Sequence, residues 1–228
     1  MIPVEYPYTN ETLEAIMAGL DMQEGDRAFA ICGSGDQAFA LLEYADSVSA
    51  VDFDESQTEY AQERKNSLAK GRTDRFLWLG NDSEECTRQN MDGSIRYFET
   101  PGRLEKIGQR LDRLEIKTVK DFLDELQNSR FTKVYLSNAI TFRQERSYES
   151  ICEIAKRIAG SMEEGGLLYI SDYDKLEMAR NYTEAFVRLN KTDRWPKDLV
   201  LESELTLKAR VLEKNHIWLP AVYRRKAQ

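Results

Sequence analysis

The chain has 228 residues, 41% of them hydrophobic and 32% charged, with a formal net charge of -8. That length suits one large domain with a substantial core, and the balance excludes a disordered chain. The acidic excess argues against a nucleic-acid partner, which needs a basic field, and the basic run at 224–226 reads as a solvated tail.

No run approaches the roughly 18 consecutive apolar residues of a membrane helix. The opening MIPVEYPYTNETLEAI has no basic patch ahead of an apolar stretch. No secretory signal is therefore expected, and the expected location is the cytoplasm. Cys32, Cys86 and Cys152 are widely spaced and form no CxxC pair, and His216 is the sole histidine. Reduced cysteines, no metal site and no histidine-based triad are the expectation.

In chain order, Asn10 is a plausible cap for a first helix, with Leu13, Ile16, Met17 and Leu20 at helical spacing. The turn at 23–26 leads into an apolar run, Ala28 to Cys32, that reads as a buried parallel strand. A helix over 37–45 follows, then a strand from Val48 to Val51 that closes on Asp52, then a long polar helix from Glu55 to Lys70. Residues 71–112 break this rhythm with Phe76, Trp78, Tyr97 and Phe98, and read as a helical insertion before the third strand. Alternation resumes with a strand at Leu114–Val119, a helix at Asp121–Leu126 and a strand at Lys133–Leu136. A helix at Arg146–Met162 follows, with Ile151, Ile154, Ala155 and Ile158 on one face. Gly166–Ser171 is predicted as a fifth strand and Lys175–Leu189 as a helix. Glu204–Leu212 and Ile217–Tyr223 are predicted as an antiparallel hairpin. With no repeat or linker, the prediction is one α/β Rossmann-like domain: a seven-stranded mixed sheet with helices on both faces.

Ligands of such sheets bind beyond the carboxyl ends of the strands. The first of those ends carries Gly33-Ser34-Gly35-Asp36-Gln37-Ala38, in which the glycines permit a tight turn and close backbone approach. Asp52 closes the second strand seventeen positions after Gly35, where a carboxylate can accept from ribose hydroxyls. A nicotinamide dinucleotide is one reading of that pair. Asp36 at the helix start opposes a pyrophosphate but suits a zwitterionic amino acid.

The stretch 31–57, with Val51, Asp52 and Gln57 forming V-D-x-x-x-x-Q, resembles the S-adenosylmethionine-dependent 3-amino-3-carboxypropyltransferases of betaine-lipid synthesis. The Leu136-Ser137-Asn138 tripeptide, the insertion at 71–112 and the segment entering the first strand are similar too. The resemblance implies a class I methyltransferase-like fold, with S-adenosylmethionine as cofactor and aminocarboxypropyl transfer ahead of methylation. The acceptor it implies is a small molecule or a lipid, compatible with peripheral membrane contact. Under it, Gly33, Ser34 and Gly35 shape the loop beneath the methionine moiety, Asp36 receives its ammonium and Asp52 takes the ribose diol. Phe53, Asp54 and Gln57 flank the nucleoside. Lys120 and Asp121 lie where this fold reads adenine, with a helix N-cap as the other reading of Asp121. Ser137, Asn138 and Ile140 face the sulfonium and acceptor. Tyr6 and Tyr8 close over the ligand or anchor the arm by packing. Asp172, Tyr173 and Asp174 are the candidate bases.

Overall fold

Residues 27–31 carry Ala28 and Ala30 to one face and Phe29 to the other, the period-two alternation of a strand buried on both sides. In the computed structural model, which describes residues 4–77, 94–127, 129–140, 148–173, 195–214 and 218–227, this segment is β1 (Arg27–Ile31) at the centre of a sheet. The other strands are β2 (Ser47–Asp52), β3 (Leu114–Thr118), β4 (Phe131–Ser137), β5 (Met162–Tyr173), β6 (Leu199–Leu201) and β7 (Trp218–Arg225). The helices are α1 (Leu13–Gly19), α2 (Asp36–Leu42), α3 (Glu55–Ala69), α4 (Thr73–Leu77), α5 (described over 94–98), α6 (Arg103–Gly108), α7 (Phe122–Leu126), α8 (Tyr148–Ser161) and α9 (Ser203–Leu212).

The sheet has seven strands in the order β3-β2-β1-β4-β5-β7-β6. Pairings from β3 through β5 are parallel, whereas β7 runs antiparallel to both β5 and β6. This is the Rossmann-like class I methyltransferase fold, a mixed sheet with helices on both faces. The chain runs outward from β1 to β2 and β3, then returns to start β4 on the other side of β1. That reversal opens a crevice at the carboxyl ends of β1 and β4.

Two apolar clusters cover the faces. Leu13, Ile16, Phe39, Leu41, Leu68, Phe76 and Phe98, from α1 to α5, pack on one side with Ala28 and Ala30. Leu123, Leu126, Ile151, Ile154, Ala155 and Ile158, from α7 and α8, pack on the other with Phe29 and Val134. Alanines in β1 let the first layer sit close.

The predicted closing hairpin is corrected in its first arm. Glu204–Leu212 lies within helix α9, and β7 pairs instead with the three residues of β6. The run alternates apolar and polar residues, but Thr206 and Ala209, three apart, are the ones buried, while Leu207 and Val211 stay exposed. Packing on α1 decides it: an added Cβ on Gly19 would sit 3.1 Å from Ala209 Cβ and 2.8 Å from Tyr169 Cε2. Of the insertion, α4, α5 and α6 are helical, and 78–93 lies outside the described residues. So do the predicted helix Lys175–Leu189, Cys86 and His216. Cys32 and Cys152 are free and buried. No helix among the described residues is long and apolar enough to cross a membrane.

Candidate functional site

The loop leaving β1 is built on two left-handed glycines, Gly33 at φ 48° and Gly35 at φ 85°. The Cys32 amide donates to Val51 O at 2.7 Å and the Gly35 amide to Cys32 O at 2.7 Å, so the turn is tight. The Gly33 amide reaches sideways to Asp52 Oδ2 at 2.8 Å, joining the ends of β1 and β2. Asp52 Oδ1 accepts from the Asp54 amide at 3.1 Å. Burial pushes the Asp52 carboxyl up, and the amides of Asp54, Gly33 and Phe53 oppose that shift. With three amides donating to it, the carboxylate keeps about one of its four acceptor sites for a ligand hydroxyl. Beside it, Phe53 is 62% exposed.

The two glycines answer different needs. A Cβ on Gly33 would meet nothing within 4 Å, so there is open space above the loop. One on Gly35 would lie 3.0 Å from both Ala61 Cβ and Phe39 Cε2. Gly35→Ala is therefore expected to destabilise by about 1–3 kcal/mol, from left-handed strain plus the clash, measured by urea unfolding. Gly33→Ala is expected to lose less stability, since only the strain applies.

Asp36 is a structural group in this geometry. It is 0% exposed, and Arg64, 1% exposed, meets its Oδ1 at 2.7 Å. Its Oδ2 accepts from the Thr9 amide at 2.8 Å and from the hydroxyls of Ser34 and Ser94, each at 3.0 Å. Arg64 also donates to Ser34 O at 2.8 Å and Phe76 O at 3.0 Å, with the Phe76 ring 4.6 Å beneath its guanidinium carbon. With both oxygens engaged and no surface, Asp36 has no free face for a ligand ammonium. Ser34, likewise buried, shapes the loop through these contacts.

Asp54 caps α3, accepting from the Ser56 amide at 2.9 Å. Gln57 is buried and exchanges two 3.1 Å bonds with the Tyr6 backbone. Tyr60 donates to Pro7 O at 3.1 Å, so Tyr6 and Pro7, at the start of the arm formed by residues 4–12, lie against α3. Tyr6 is half exposed, its phenol pushed up to about 12 by desolvation and then by its bond to Glu5. Tyr8 turns inward, its hydroxyl donating to Leu77 O at 3.2 Å. Lys120 is exposed, and Asp121 caps α7 by accepting from the Leu123 amide at 3.0 Å.

At the end of β4, Ser137 is left-handed at φ 49°, Asn138 is partly exposed and Ile140 is buried. The Ser137 hydroxyl donates to Glu11 Oε1, which also accepts from Tyr135 OH at 2.6 Å. Glu11 is not among the residues the sequence singles out, because TNETLE reads as ordinary helix entry. Its burial pushes its carboxyl up to about 7, against the lowering bonds from Ser137 and Tyr135. Asp172 and Tyr173 sit on β5 opposite Leu219 and Trp218, but their side chains, and all of Asp174, lie outside the described residues.

The crevice thus brings together Gly33, Asp52 and Phe53 at β1 and β2, and Ser137, Asn138 and Glu11 at β4. No family model and no curated protein matches the sequence. Solved structures do match in fold. An rRNA methylase from Streptococcus thermophilus superposes with a TM-score of 0.52 at 12% identity, over 94% of this chain and 95% of that one. The N-methyltransferase NodS from Bradyrhizobium japonicum, in complex with S-adenosyl-L-homocysteine, gives 0.53 at 10% identity over 94% and 85%. The protein yhhF from Escherichia coli, described as a candidate methyltransferase, gives 0.55 at 12% identity over 100% and 92%.

Proposed function

We propose that this chain binds S-adenosylmethionine across the ends of β1, β2 and β4 and transfers its methyl group to an acceptor. The observation that carries this reading is the Gly33 amide bonded to Asp52 beneath open space. A carboxylate fixed at the end of β2 by its neighbours' amides suits a ribose diol, and an exposed Phe53 suits an adenine face. Gly33 to Gly35 lie under the methionine moiety. Asp54 and Gln57 support this frame from α3 and the arm. Asp121 keeps the adenine-reading role alongside its cap, with Lys120 beside it. Ser137, Asn138 and Ile140 line the reacting side, and Tyr6 and Tyr8 belong to the covering arm. The bound cofactor supplies an electrophilic carbon on a sulfonium; the protein's task is positioning.

The fold-level likeness to methyltransferases favours methyl over aminocarboxypropyl transfer. The motif at 51–57 and the Leu-Ser-Asn tripeptide keep the latter as a second reading. By-products separate them: S-adenosylhomocysteine for methylation, methylthioadenosine for aminocarboxypropyl transfer. A nicotinamide-dependent oxidoreductase is disfavoured by the antiparallel β7 and by the neighbours. The acceptor is a small molecule or lipid in this reading. An rRNA methylase among the neighbours makes RNA the competing acceptor class, and the net charge of -8 weighs against it. A cytoplasmic setting accords with the cysteine usage. Calorimetric titration tests the site: Asp52→Ala is expected to weaken S-adenosylmethionine binding by about 1.5–3 kcal/mol, the range for hydrogen bonds to a charged group. Unchanged affinity in a folded variant contradicts the assignment.

A further inference from the structure

Two other buried carboxylates are matched by guanidinium groups, Asp36 by Arg64 and Glu43 by Arg103. Glu11, 3% exposed, has no ion-pair partner among the described residues, and its Oε2 has no hydrogen-bond partner there either. Three further buried atoms close by share that condition, Gln37 Oε1, Tyr169 OH and Ser171 Oγ. They belong to one cluster. Tyr135 OH bonds Glu11 Oε1 at 2.6 Å and accepts from Gln37 Nε2 at 3.2 Å, and its ring lies 5.7 Å from that of Tyr169. Ser171 is near enough to Glu11 to favour its ionised form.

Unpaired buried polar groups and unpaired buried charge are both unfavourable. Two of these atoms, Glu11 Oε2 and Gln37 Oε1, accept hydrogen bonds in the ionised and amide forms, and the two hydroxyl oxygens can accept as well. An acceptor-rich set around a carboxylate matches a primary ammonium, a compact cation with three N–H donors in its headgroup. The set also touches Ser137, at the end of β4, on the reacting side of the proposed cofactor site.

We propose that Glu11, Gln37, Tyr169 and Ser171 form a subsite for the primary amine of the acceptor, with Glu11 Oε2 as its proton acceptor. This rests on the transferase reading. The ammonium gives one proton to Glu11, leaving a neutral amine with a free lone pair. That lone pair forms the new N–C bond to the methyl carbon while the C–S bond breaks and its electrons stay on sulfur. The product is a methylated ammonium and a neutral thioether, and Glu11 passes its proton to solvent on release. The segment leading to Glu11 is held in place by bonds from the Tyr6 backbone to Gln57, from Tyr60 to Pro7 O and from the Thr9 amide to Asp36.

The test is calorimetry on protein saturated with S-adenosylhomocysteine, using n-butylamine as probe and n-butanol as its uncharged counterpart. Wild type is expected to bind the amine at least about tenfold more tightly than the alcohol, as a charge-assisted bond requires. Glu11→Gln is expected to lose that preference, with a cooperative urea transition reporting that it is folded. Ser171→Ala is expected to weaken the amine by about threefold, the scale of one neutral hydrogen bond. Equal binding of amine and alcohol, no amine binding, or an unchanged preference in Glu11→Gln overturns the subsite. A wild-type protein that binds no S-adenosylhomocysteine overturns the transferase reading instead.

Discussion

Replacing Arg64 by methionine is expected to destabilise the protein by about 3–5 kcal/mol, the range for removing one partner of a buried ion pair. The reason is the environment left behind. Asp36 at 0% exposure would lose the guanidinium that meets its Oδ1, and Ser34 O and Phe76 O would each lose a donor. Methionine fills much of the space between Phe39 and Phe76, so lost packing contributes little. The network spans the glycine loop, α3, α4, α5 and the arm through Thr9 and Ser94, so its loss should loosen the crevice as well as the core. Urea unfolding checks this, and a loss below about 1 kcal/mol would contradict it, because that is the worth of an exposed pair.

The second large effect depends on pH. Burial raises the Glu11 carboxyl from an ordinary value of 4.5 to about 7 in the folded protein. Between those values the folded state binds more protons than the unfolded one. The stabilising contribution is therefore complete below pH 4.5 and is lost as pH rises through about 7. Glu11→Gln keeps an oxygen for Tyr135 and Ser137 but does not titrate. Its stability relative to wild type is expected to rise by about 2 kcal/mol between pH 5 and pH 8, since one proton held only by the folded state is worth about 1.4 kcal/mol for each pH step. Urea midpoints of both proteins across that range give the difference directly. A flat difference would mean that Glu11 titrates normally and that its burial has been relieved.

The features legible in the sequence are local ones. Gly33, Gly35 and Asp52 announce themselves because a tight turn after a strand and an acid closing the next strand are short-range patterns, and the structure joins Gly33 to Asp52 through one amide. Most strand positions are legible because both-face burial produces continuous apolar runs. Glu204–Leu212 misleads because its alternation is incidental, and only the closeness of Gly19 and Tyr169 reveals which of its residues are buried. Asp36 resembles a ligand group because its partner lies 28 residues away in a helix that reads as solvated. Glu11 is hidden for a like reason, since its bond to Ser137 spans 126 residues. Polar residues within helices give no periodic signal of burial, and their roles follow from tertiary pairing alone.

A crystal structure of the protein soaked with S-adenosylhomocysteine examines the central claim most directly. The expected result is the ribose hydroxyls within hydrogen-bond distance of Asp52, the adenine against Phe53 and the amino-acid portion over Gly33. Density for the ligand at any other place, or none in the crevice under saturating conditions, would contradict it.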